Sequence, residues 1–151
     1  QHSSVTTFIY KPVQPLATIK RHLIILPDQA EKEIGFLAIM NRVWNVLQNA
    51  GAKVVFYGSE DTLKAIKKVF AKRAGEISYV NFCDWDDFLI VFRDVKADDS
   101  MWVIFSRKEG LSYDPVMPRI PGYLNKYFQG NSFVLIYPIQ AGIDEGTRYL
   151  T

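Results

Sequence analysis

Three linked runs decide how this chain folds: Asp99-Ser100-Met101-Trp102-Val103-Ile104-Phe105, Ser106-Arg107-Lys108-Glu109-Gly110-Leu111-Ser112-Tyr113-Asp114-Pro115, and Asn131-Ser132-Phe133-Val134-Leu135-Ile136-Tyr137-Pro138. The first and last are short apolar runs with the length of buried strands. The middle run is a long loop. It leads into a short helix with Pro118 or Pro121 near its first turn, where a missing N–H costs nothing. In a nucleotide-binding α/β domain, the loop after such a strand is where phosphates sit. The composition of this loop therefore bears on function as well as fold.

Upstream, the same alternation repeats. Leu23-Ile24-Ile25-Leu26 is a continuous apolar run closed by Pro27, the pattern of a parallel strand covered on both faces. Lys20, Arg21 and His22 precede it and are expected to face solvent. Glu31 to Asn49 reads as the longest helix, with Phe36, Leu37, Met40, Val43, Trp44 and Leu47 on one face. Asp28, Glu31 and Glu33 crowd its start, where the helix dipole favours anions, and Gly51 stops it. Lys53-Val54-Val55-Phe56-Tyr57 is the next strand. A helix capped by Ser59 follows, with Leu63, Ile66, Val69 and Phe70 inward and a lysine-rich outer face. Ile77 to Phe82 alternates as a strand. Asp84 then caps a helix whose inward stripe is Trp85, Phe88, Leu89, Phe92 and Val95. Asp98-Asp99 reads as a turn.

The expected fold class is α/β: an open, mostly parallel five-stranded sheet with helices on both faces, in three Rossmann-like layers. The expected organisation is a lead-in linker over 1–20, the α/β domain over 21–138 and a tail over 139–151. Phe8-Ile9-Tyr10 is strand-like, but Pro12 and Pro15 make a linker the plainer reading of its surroundings. The chain opens on Gln1 with no signal peptide, and reads as a piece of a longer polypeptide.

With 151 residues, 48% of them apolar, the chain can build one ordinary core. A formal charge of +2 is too small for a nucleic-acid surface. No apolar run reaches the roughly 18 residues of a membrane span. One cysteine, Cys83, and two histidines, His2 and His22, offer no metal-ligand spacing. Asp84, Asp86 and Asp87 sit at a helix start and read as capping groups rather than a cation site. Cys83 has acidic neighbours and reads as structural. No nucleophile elbow, dinucleotide fingerprint or Walker A loop occurs.

Two loops could meet a nucleotide at the carboxyl ends of the strands. Pro27-Asp28-Gln29-Ala30-Glu31 has no glycine, and its carboxylates would repel a phosphate. In Ser106–Gly122, Arg107 and Lys108 could neutralise an anion and Ser106 could donate to it. Glu109 and a series of prolines and bulky side chains oppose that role. If an adenine nucleotide such as ATP or AMP binds, the candidate residues are Asp28, Ser106, Arg107, Lys108 and Ser112. Asp28 then meets its ribose or base, and the cations Arg107 and Lys108 meet its phosphates.

Leu26-Pro27-Asp28, Val103-Ile104-Phe105-Ser106-Arg107-Lys108-Glu109-Gly110 and Phe133-Val134-Leu135-Ile136 resemble the framework of the universal stress protein fold. The glycine-rich nucleotide motif of that family does not carry over, because Pro118-Arg119 stands where its Gly-Ser belongs. Over residues 8–138 the chain is similar to the C-terminal domain of Bacteroidetes-type cation/proton antiporters of the monovalent cation:proton antiporter-2 family. The stretches that carry this likeness include Pro15–Arg21, Ala30–Phe36, Val55–Gly58, Trp85–Phe88, Ser112–Pro115 and Lys126–Phe133. The resemblance implies a non-enzymatic regulatory or structural domain at the cytoplasmic face of the plasma membrane, without a cofactor of its own. Its implied partners are the membrane transporter portion of the same polypeptide and a second copy of itself, paired through Phe133–Tyr137. It implies exchange of Na⁺ or K⁺ for H⁺ by the parent protein, through membrane helices that this chain lacks. A nucleotide-binding stress-type module with a degenerate phosphate loop is the alternative.

Overall fold

The computed structural model describes residues 6–48, 51–71, 75–106 and 111–138. They form six strands and four α-helices: β1 (Thr7–Lys11), β2 (Arg21–Ile25), α1 (Phe36–Leu47), β3 (Lys53–Gly58), α2 (Glu60–Phe70), β4 (Ile77–Asn81), α3 (Phe88–Val91), β5 (Asp99–Ile104), α4 (Ile120–Tyr127) and β6 (Ser132–Tyr137). The sheet runs in the order β1-β6-β5-β2-β3-β4. β2 pairs in parallel with β3 and with β5, β3 with β4, and β5 with β6. The α/β, mostly parallel, open architecture follows the pattern expected from the alternating elements.

The sheet has six strands rather than five, and it is mixed. The sixth strand comes from the segment read as a linker: Thr7–Lys11 pairs antiparallel with β6, Ile9 opposite Leu135. The prolines did not prevent this, because Pro12 falls just past the last paired residue and at a sheet edge, where no ladder donor is needed. Beyond it, Val13 N donates to Ser132 Oγ at 2.8 Å, which fixes the chain against the start of β6. The edge of Phe133–Tyr137 expected to meet a second copy is therefore already covered by this chain's own strand.

Alternation along the strands splits the core in two. Ile24, Val54, Phe56, Trp102, Ile104, Val134 and Ile136 face α1 and α2, meeting Met40, Val43, Leu63, Ile66 and Phe70. Leu23, Ile25, Met101, Val103, Phe133 and Leu135 face α3 and α4, meeting Phe88, Phe92, Ile120, Leu124 and Phe128. β5 is buried along its whole length, as a central strand between two helical layers must be.

Local departures have local causes. The helix expected over Glu31–Asn49 is shorter, because Glu33 is extended (φ −79°, ψ 143°) and Gly35 is left-handed (φ 90°). A single 3₁₀ turn, Ala30–Lys32, precedes them. Leu37, placed on the inward stripe, is exposed once the helix starts at Phe36. Ser59 does not cap α2 through a backbone bond; its hydroxyl donates to Thr62 Oγ1 at 3.0 Å. Asp84 caps as expected, accepting from Asp86 N at 3.0 Å. Cys83, read as structural, is exposed.

Candidate functional site

The chain runs β2-β3-β4 toward one edge of the sheet, then returns to place β5 and β6 on the other side of β2. The strand order thus reverses between β2 and β5. In open α/β sheets, the crevice at the carboxyl ends of two such strands is where ligands sit. Here that crest is formed by Pro27 and Asp28 after β2, and by Phe105 and Ser106 after β5.

A carboxylate of the chain itself fills the crest. Glu33 Oε2 accepts from Ser106 Oγ at 2.8 Å, from Ser112 N at 3.0 Å and from Ser112 Oγ at 2.5 Å. Ser106 and Ser112 are 8% and 4% exposed, whereas Glu33 is half-buried. Charge-assisted bonds of this kind are about twice as strong as neutral ones. They tie the loop after β2 to the loop after β5, across the point where the sheet order reverses. The cavity beside them, lined by Pro27, Ala30, Glu33, Phe105, Ser112 and Pro138 among others, holds about 20 Å³. That is room for about one water molecule, whereas ligand pockets run to several hundred Å³.

The segment that carries Glu33 is a strap. It begins at Gln29, which is left-handed at φ 62°, and ends at Gly35 at φ 90°. Glu31, two residues before Glu33, accepts from Thr62 Oγ1 of α2 at 2.6 Å. The strap therefore has two carboxylate ties, one to each side of β2.

Of the residues expected to serve a nucleotide, the structure brings Ser106 and Ser112 together, but around Glu33. Asp28 is exposed and does not line the crest cavity. Arg107 and Lys108 lie outside the described residues. Glu33 was read from sequence only as one of several acids at a helix start. The signal that could have found it is Gly35: a glycine two residues after a glutamate, inside an otherwise helical pattern, breaks the helix and frees the acid.

A second polar cluster lies at the opposite, amino ends of the strands, and the sequence reading missed it. Arg21 holds Asp99 through two bonds, Nε to Oδ1 at 2.9 Å and a terminal nitrogen to Oδ2 at 2.5 Å. Asp99 is 2% exposed, so it is a paired, buried acid rather than a turn residue. Lys96 N donates to Asp99 Oδ2 at 2.9 Å. Asn131 Nδ2 donates to the carbonyls of Lys96 and Asp99 at 2.7 and 3.0 Å. The guanidinium stays raised above its ordinary value chiefly by its bond to Asp99.

His22, expected to face solvent, is 0% exposed. The alternation that places Ile24 in the core puts His22 on the same face. Its Nδ1 is 2.5 Å from Ser100 Oγ, and that oxygen also accepts from Trp102 Nε1 at 2.9 Å. Whichever ring nitrogen carries the proton, Nε2 finds no partner among the described residues. Burial pushes the imidazole down to about 4, against a smaller upward pull from Asp99. A neutral histidine deep in a sheet is a packing group, and this one is at the wrong end of the strands to act at the crest.

Among the described residues, no group of three or more His, Cys, Asp or Glu is placed to hold a metal ion. None of the described helices is long and apolar enough to cross a membrane. No protein-family model, curated protein or solved structure matches the chain.

Proposed function

We propose that this chain is a non-enzymatic regulatory or structural domain of a Na⁺(K⁺)/H⁺ antiporter, acting at the cytoplasmic face of the plasma membrane. One observation carries the non-nucleotide half of this reading: the Glu33 carboxylate takes the donors of Ser106 and Ser112 at the crest. A phosphate brought there would meet a negative charge already in place. The resemblance over residues 8–138 supplies the transporter half. On this reading the ions move through membrane helices elsewhere in the parent polypeptide, and this domain docks on that portion or transmits a signal to it.

Two measurements test the reading. The reading frame is expected to encode repeated apolar runs of about 20 residues upstream of residue 1. A frame without them overturns the transporter assignment. For the crest, melting temperature is measured with ATP, AMP and NAD at millimolar concentration. A ligand at about 100 times its dissociation constant would add about 2.7 kcal/mol, or several degrees for a domain of this size. The expected shift is under about one degree, and a shift of several degrees with any of the three favours the nucleotide-binding alternative.

A further inference from the structure

We propose that Ser106 and Ser112 form an oxyanion-binding site whose resident occupant is this chain's own Glu33, held there by the Gln29–Gly35 strap. The class of ligand is a small oxyanion, a carboxylate or a phosphate, that competes with Glu33 for the same donors. This goes beyond the antiporter reading and does not rest on it, since the site belongs to this domain whatever its parent.

Glu33 is half-buried, and its Oε2 alone takes three donors: two hydroxyls and a backbone N–H. The donors converge from two separate loop positions, six residues apart in sequence and both largely buried. Three convergent donors, at the point where the strand order reverses, are the arrangement that binds a free anion in other settings.

The occupant is attached in a way that allows exchange. Glu33 sits in extended backbone, in a short segment bounded by left-handed Gln29 and Gly35, outside any regular helix. The strap's backbone bonds are local turn bonds, among them Glu33 N to the Ala30 carbonyl at 3.1 Å and Phe36 N to the Glu33 carbonyl at 3.3 Å, with no strand or long-helix ladder. Its other side-chain tie is the Glu31–Thr62 bond. Ala30 is its one buried apolar side chain, since Ile34 is 62% exposed. Release of the Glu33 side chain alone would break its three bonds to Ser106 and Ser112. An internal ligand of this kind acts at an effective concentration set by its tether, commonly millimolar or above. It lowers the apparent affinity of a free anion by the fraction of time the site is filled.

The test removes the internal ligand and supplies an external one. Glu33→Ala is made in the full chain, and its melting temperature is followed in sodium acetate and, separately, in inorganic phosphate. Sodium chloride at matched ionic strength is the control. The amide resonance of Ser112 reports occupancy of the site. Acetate or phosphate is expected to raise the melting temperature of Glu33→Ala and to shift the Ser112 amide saturably. Binding should be at least about tenfold tighter than to the unmodified chain. Rescue by acetate alone assigns a carboxylate ligand, and rescue by phosphate assigns a phosphate. Adding Ser112→Ala to Glu33→Ala is expected to abolish the rescue. Should Glu33→Ala fail to fold, Glu33→Ser takes its place, because its short side chain also leaves the donors of Ser106 and Ser112 without the internal carboxylate. The proposal is overturned if neither anion shifts the Ser112 amide in a folded variant, or if the unmodified chain binds them equally well.

Discussion

His22 makes the stability of this fold depend on pH, where a surface histidine with an unperturbed pKa would not. In the unfolded chain its imidazole titrates near 6.5, and in the folded protein burial holds it down to about 4. The folded state therefore binds fewer protons between those values, and stability falls as pH drops through that window. Above pH 6.5 the ring is neutral in both states and contributes no pH dependence. Below pH 4 the full penalty applies. A depression of this size corresponds to about 3 kcal/mol, of which about 2 kcal/mol is already lost at pH 5. Against a typical stability of 5–15 kcal/mol, that is a large fraction. The perturbation is His22→Gln, which can still bond to Ser100 Oγ but cannot ionise. Urea unfolding at half-unit steps from pH 7.5 to 5 gives the two stability curves. Their difference isolates His22 from every other titrating group. The unmodified chain is expected to lose about 2 kcal/mol more than the variant over that range. A difference curve that stays flat, or an imidazole resonance titrating near 6.5 in the folded protein, would refute the reasoning.

Two further substitutions test the other structural arguments. Asp99→Ala removes the carboxylate that serves both Arg21 and the Lys96 N–H. Because Arg21 is about one-third exposed (34%) and can turn to water, the loss is expected at about 2–4 kcal/mol by urea unfolding; a loss under about 0.5 kcal/mol would mean the pair is incidental. Gly35→Ala is expected to destabilise by about 1 kcal/mol, because φ 90° is costly for any residue with a Cβ. If the position were ordinary helix the same change would stabilise by about as much, so the sign alone decides.

The fold was legible in the sequence wherever one physical rule acted alone. The apolar runs at Leu23–Leu26 and Met101–Phe105 could satisfy their burial only as central strands, and the helical stripes of α1 and α2 could only be amphipathic. Reading failed where two rules competed. At Thr7–Lys11, proline spacing argued for a linker while strand propensity argued for pairing. Pairing won because the prolines lie just outside the ladder, a matter of one residue that composition cannot weigh. At His22 and Asp99, polarity argued for solvent, but register governs strand residues. Polar groups carried into the core by alternation then meet partners there: Asp99 binds Arg21, and His22 Nδ1 meets Ser100, although its Nε2 finds none among the described residues.

The crest shows the same competition with a functional consequence. From composition, the loop after β5 looks like a phosphate loop spoiled by prolines and bulky side chains. In the structure, Ser106 and Ser112 donate to a carboxylate delivered from the loop after β2, the one proposed above to compete with a free oxyanion. A spoiled loop is a permanent loss, whereas an occupied one is an equilibrium between two acceptors for the same donors. For a domain proposed to regulate rather than catalyse, that difference matters. A site closed by its own chain can respond to the concentration of a competing oxyanion, and a site filled with proline cannot.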